Sequence, residues 1–107
     1  MGMDSAALRG WVGHGVQDPD GHHMGDLIQV LVSGDDVAEW LIIQRRTMST
    51  KNDFAPVRLA SVGEHGFTLP FTEDVLHAGP HVADRHHPTA EELDALESYY
   101  AAIGTNQ

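Results

Sequence analysis

The chain has 107 residues, of which 41% are hydrophobic and 21% are charged, and its formal charge at pH 7 is −10. This length fits one domain with a modest core, and the composition is that of a globular rather than a disordered protein. The acidic balance disfavours binding to nucleic acid or to anionic lipid, because both partners require a surface rich in Lys and Arg.

Cysteine content and hydropathy indicate the cellular compartment. The absence of cysteine excludes disulfides and thiolate metal sites and is typical of a reducing environment. No stretch approaches the roughly 18 apolar residues that can span a bilayer, and the N-terminus lacks the pattern of a signal peptide. We therefore expect a cytoplasmic protein that is not inserted into a membrane.

The first half of the chain predicts a leader and three strands. Residues 1–7 show no apolar pattern, and we expect them to form a disordered leader. The segment Gly13–Gln17 predicts a strand that ends at the turn Asp18–Gly21, where Pro and Asp-Gly favour turn angles. Met24–Val32 predicts a second strand, and Trp40–Ile43 predicts a central strand buried on both faces.

The following segments predict shorter strands. In Phe54–Val57 the proline must lie at a sheet edge or at a bulge, because it cannot donate a backbone hydrogen bond. Leu59–Val62 and Phe67–Phe71 flank a glycine-containing turn and predict a hairpin. Thr72 is positioned to cap a single helical turn that ends before Gly79. Together with the first three strands, the sequence predicts five or six short strands.

The clearest predicted helix begins after Thr89. Thr89 and Glu92 have the spacing of a capping box, in which each side chain bonds the backbone N–H of the other residue. Gly104 is the expected end of the helix. An apolar stripe, which must cover the rest of the fold or a partner, runs along the helix at helical spacing. It contains Leu93, Leu96, Tyr100 and Ile103.

Several motifs occur in a characteristic order. They are Gly13-x-x-Val16-x-Asp18-x-Asp20-Gly21-x-x-Met24-Gly25, Glu39–Ile43, Phe54–Val57, Leu69–Val75 and a Pro88–Glu92 helix start that leads to Tyr99-Tyr100. In this order they resemble the PRC-barrel domain proteins, and most closely the small stand-alone actinobacterial type. The resemblance covers roughly residues 8–100.

The PRC-barrel resemblance implies a mainly β fold, a small six-stranded antiparallel β-barrel followed by a C-terminal α-helix. The barrel is expected to occupy residues 8–84, and residues 85–107 are expected to form a loop and the helix, packed on the barrel or on a partner. Relatives such as the photosynthetic reaction-centre H subunit and a ribosome-maturation factor bind other macromolecules through this domain. Fold alone does not fix function.

Large aromatic and basic side chains are the candidates for a protein interface. Trp11 lies outside any strong strand pattern and is the leading candidate. A basic cluster in the acidic chain could meet the acidic face of a C-terminal helix, either its own or a neighbour's. This cluster consists of Arg45, Arg46 and Lys51, and the helix contributes Leu93, Leu96, Tyr99 and Tyr100.

Metal binding and catalysis have weaker support in the sequence. The pairs His22-His23 and His86-His87 offer imidazole ligands. Neighbouring residues on a strand point to opposite faces, and neither pair has the i, i+4 spacing of a helical zinc site. No serine lies in a nucleophile elbow. We expect no cofactor, no native metal site and no enzymatic activity.

The sequence thus favours a non-catalytic protein-binding module that self-associates as a homodimer or binds another protein. One alternative is a metal- or small-ligand-binding protein that uses the loop histidines. A second alternative, an accessory factor in ribosome or RNA processing, comes from the PRC-barrel relatives and is opposed by the charge of −10.

Overall fold

The computed structural model describes residues 5–32, 37–44, 52–63, 66–80, 82–84 and 87–104. The α-helices are α1 Ser5–Arg9, α2 Glu73–Ala78 and α3 Ala90–Gly104, and Val57–Leu59 forms a 3₁₀ helix. The strands are β1 Gly15–Gln17, β2 His23–Val32, β3 Ala38–Gln44, β4 Asn52–Pro56, β5 Ser61–Gly63 and β6 Gly66–Thr68.

The six strands form one mixed sheet in the order β4-β3-β2-β1-β6-β5. The prediction of a mainly β fold with six strands and a C-terminal helix is confirmed. The prediction that every pair is antiparallel is wrong, because Val16 of β1 pairs in parallel with Phe67 of β6. A parallel pair needs a long connection, and the chain from β2 to β5 supplies it. The sheet is not closed, since β4 and β5 form its two edges.

Strand β3 lies inside the sheet, between β2 and β4. Trp40, Leu41, Ile42 and Ile43 are all buried, which confirms the prediction of a strand covered on both faces. Antiparallel pairing places Trp40 beside Pro56 of β4. Strand β4 is at a sheet edge, as its proline requires. The apolar run Trp40–Ile43 therefore forms the middle of the core.

Helix α3 begins with the predicted capping box. The Glu92 N–H donates to Thr89 Oγ1 at 3.1 Å, and the Thr89 N–H donates to Glu92 Oε1 at 2.8 Å. Hydrogen bonds from the Thr89 and Ala83 N–H groups hold the pKa of the Glu92 carboxyl below its ordinary value. The apolar stripe of the helix packs on the sheet of the same chain, where Leu96 and Tyr100 are buried.

The N-terminal region differs from the expected leader. Residues 1–4 lie outside the described residues, but Ser5–Ala7 belong to α1 rather than to an unstructured segment. Leu8 explains this order because its side chain is completely buried in the core. After the helix, the Gly13 N–H donates to the Leu27 carbonyl at 2.7 Å, which fixes the turn against β2.

The short helix α2 is also confirmed, with one difference at its start. Thr72 occupies the N-cap position, yet its side chain makes no capping hydrogen bond. The helix is held by its contacts with β4 and by burial of Leu76. Among the described residues, no helix combines the length and the apolar character needed to cross a bilayer.

Candidate interaction surface

Trp11 lies just after α1 and covers part of β6. Its ring centroid is 5.9 Å from that of Phe67 and 5.3 Å from that of His14, which it meets edge-on. The Trp11 side chain is only partly buried, whereas Phe67 beneath it is buried. The next residue, Val12, is 41% exposed. The structure thus places the predicted anchor at the surface, next to a further apolar side chain.

Strand β5 extends this apolar area to the edge of the sheet. Val62 pairs with Phe67 across the β5–β6 ladder, so the two side chains lie on the same face. Val62 is nevertheless 49% exposed, because no described strand lies beyond it. We call Trp11, Phe67 and Val62 the Trp11 patch. Within this patch Phe67 is buried, Trp11 is partly buried and Val62 is exposed.

The other predicted interface residues have different environments. Leu96 and Tyr100 are buried in the chain's own core, and Leu93 is partly buried against it. Tyr99 is also partly buried, and its hydroxyl donates to the Val75 carbonyl at 2.7 Å. These four side chains therefore attach α3 to the domain. The basic cluster Arg45, Arg46 and Lys51 lies outside the described residues.

The β4 edge of the sheet is closed by a buried polar cluster. The Tyr100 hydroxyl donates to the Phe54 carbonyl at 2.7 Å. Burial, reinforced by the nearby Tyr99 and Asp53, raises the pKa of the Tyr100 hydroxyl far above its ordinary value. His77 of α2 places Nδ1 3.0 Å from Oδ2 of Asp53, whose side chain is buried. Two helices are thus fastened to β4.

The β1–β2 turn gathers carboxylates near a histidine. Asp18 Oδ1 accepts the N–H groups of Asp20 at 2.9 Å and His22 at 2.8 Å, and Oδ2 lies 3.3 Å from His22 Nδ1. Possible ligand atoms of Asp18, Asp20 and His22 fall within 4.8 Å of one another. The turn's own hydrogen bonds account for this closeness, because Asp18 organises the backbone that carries the other two residues.

The charge of Asp18 is stabilised by the same turn. Burial alone would raise the pKa of the Asp18 carboxyl, but the N–H groups of His22 and Asp20 outweigh burial and hold this pKa below its ordinary value. A carboxylate that accepts two backbone N–H groups is a strong acceptor. Asp18 is therefore best described as the residue that shapes the β1–β2 turn.

The remaining candidate metal ligands are separated by the structure. His22 faces Asp18, whereas His23 Nε2 lies 3.1 Å from Asp26. His87 is exposed and lies 3.3 Å from Asp84. His86 is outside the described residues. His22 precedes β2 and His23 begins it, and the two imidazoles interact with different carboxylates.

Scans against protein-family models and against curated proteins find no match for this chain. The resemblance to PRC-barrel proteins therefore stays a prediction from the order of its motifs.

Two features of the surface have weak signals in the sequence. Val62 belongs to a predicted hairpin, but only the strand order shows that it lies at an edge. The contact between Asp53 and His77 joins β4 to α2 and has no spacing rule that could reveal it. In the sequence, the β5 edge is indicated only by the hairpin that Gly63 and Gly66 bound and by Val62 beside it.

Proposed function

We propose that this chain is a non-catalytic protein-binding module of the PRC-barrel type that assembles with itself as a homodimer. The observation that supports the proposal is the position of Trp11, which is partly exposed, packs on Phe67 of the sheet and is followed in the chain by the exposed Val12. Tryptophan is among the residues most enriched at the energetic centres of protein interfaces. A cluster of apolar side chains left at the surface is typical of a binding site.

The exposure of other apolar residues supports the same surface. Three large hydrophobic side chains are exposed among the described residues, namely Val12, Val37 and Val62. Val12 follows Trp11 in the chain, and Val62 pairs with Phe67, which Trp11 contacts. Two of the three are thus linked to Trp11, Val12 along the chain and Val62 through Phe67. Burying them together would remove apolar area from water, which is the main driving force for association.

The scaffold beneath Trp11 is suited to presenting a binding surface. Phe67 is buried, and its strand β6 pairs with β1 on one side and β5 on the other. Contacts on ordered strands lose little conformational entropy on binding, which favours affinity. In the proposed cytoplasmic setting, the charge of −10 opposes nucleic acid as a partner and leaves proteins as the expected class.

The test is light scattering after size exclusion of the untagged chain at two protein concentrations, with and without a chelator. We expect a mass of twice the 11.7 kDa of one chain, unchanged by the chelator. Trp11→Ala should lower the mass toward one chain while the far-ultraviolet circular dichroism stays unchanged. Val37→Ala, which removes an exposed apolar side chain elsewhere, is the matched control and should stay dimeric.

Three outcomes would contradict the proposal. A monomer at both protein concentrations would contradict the proposed self-association. A dimer that the chelator dissociates would instead assign the assembly to bound metal and to the histidines. A dimer that Trp11→Ala and Val37→Ala leave equally intact would show that the Trp11 patch is not the contact surface.

A further inference from the structure

We draw no further inference here: the strongest candidate, the cluster of Asp18, Asp20 and His22 in the β1–β2 turn, is held together by the turn's own hydrogen bonds, and nothing in the part of the chain that the structure describes points to a ligand that this acidic cluster would bind.

Discussion

The Tyr100 hydroxyl donates a 2.7 Å hydrogen bond to the main-chain carbonyl of Phe54, a residue 46 positions earlier in the chain. This bond gives a backbone carbonyl of the edge strand β4 a buried side-chain donor. The ring of Tyr100 also packs against Phe71 and Trp40, with centroids 5.4 Å and 6.5 Å away. The Tyr100 side chain therefore packs in the core through its ring and binds the β4 edge through its hydroxyl.

Removing this hydroxyl should destabilise the protein. Tyr100→Phe keeps the ring but removes the buried donor to the Phe54 carbonyl, so we expect the free energy of unfolding to fall by about 1–3 kcal/mol. Tyr99→Phe removes a bond of the same length to Val75 in a partly exposed setting, and it should cost less. Urea unfolding curves of the two variants and the wild type measure the difference. Equal losses would contradict this assignment.

The capping box of α3 gives a second prediction. Thr89→Ala removes the acceptor for the Glu92 N–H, and we expect the free energy of unfolding to fall by about 1 kcal/mol. Ser98→Ala, on the exposed face of the same helix, is the control and should be neutral or slightly stabilising, because alanine favours helix. Thermal unfolding followed by circular dichroism checks both. A loss from Ser98→Ala as large as that from Thr89→Ala would be inconsistent with a capping effect.

Gly25 allows close approach of β2 and β3. A β-carbon there would lie 2.7 Å from the Gln44 carbonyl oxygen and 2.9 Å from Ile43 Cγ2, at a φ of +158°. Gly25→Ala should therefore cost about 2–3 kcal/mol of the free energy of unfolding. Gly13→Ala has a positive φ but no atom within 4 Å, and its strain should cost about 1 kcal/mol. Chemical denaturation measures both, and a smaller loss at Gly25 would argue against the clash.

We expect Asp18 to make the free energy of unfolding depend on pH in the acidic range. Its pKa is lowered in the folded chain, because two backbone N–H groups outweigh burial. The stabilisation that the Asp18 carboxylate contributes is therefore fully present above its unfolded pKa of about 3.9. It is lost as the pH falls through the lower pKa of the folded chain. We expect the urea concentration at the midpoint of unfolding to decrease once the pH is below about 4.

Asp18→Asn is the matched variant for the acid experiment. An amide oxygen can still accept the N–H groups of Asp20 and His22, but it does not titrate. The variant should be less stable than the wild type near neutral pH and should lose less stability between about pH 4 and pH 2. Unfolding midpoints across this interval provide the measurement. Parallel pH profiles for the two proteins would assign the acid sensitivity to other carboxyl groups.

Local sequence signals predicted the individual elements well. The apolar run Trp40–Ile43 is too short to favour a helix and predicted a buried strand, and the spacing of Thr89 and Glu92 predicted the start of α3. The turn at Asp18 followed from residues that favour turn angles. These features depend on residues within a few positions of one another, which is why periodicity and capping rules detect them.

Periodicity and capping rules could not predict which distant strands pair. The parallel contact between Val16 and Phe67 depends on how the whole chain returns to β1, and no turn type or periodicity specifies it. The expectation of a closed antiparallel barrel came from a resemblance of motifs and not from pairing rules. Likewise, the apolar stripe of α3 predicted a packing face but could not distinguish the chain's own sheet from a partner.

The distance in sequence between Phe54 and Tyr100 also has a consequence for biosynthesis. At about 5–20 residues per second, the chain needs roughly 2–9 s to grow from Phe54 to Tyr100, which are 46 positions apart. During that interval the ribosome-bound chain holds β4 without the helix that later covers it. An uncovered strand edge invites pairing with other chains. Nascent polypeptides of this protein are therefore most exposed to aggregation, and to chaperone capture, just before α3 emerges.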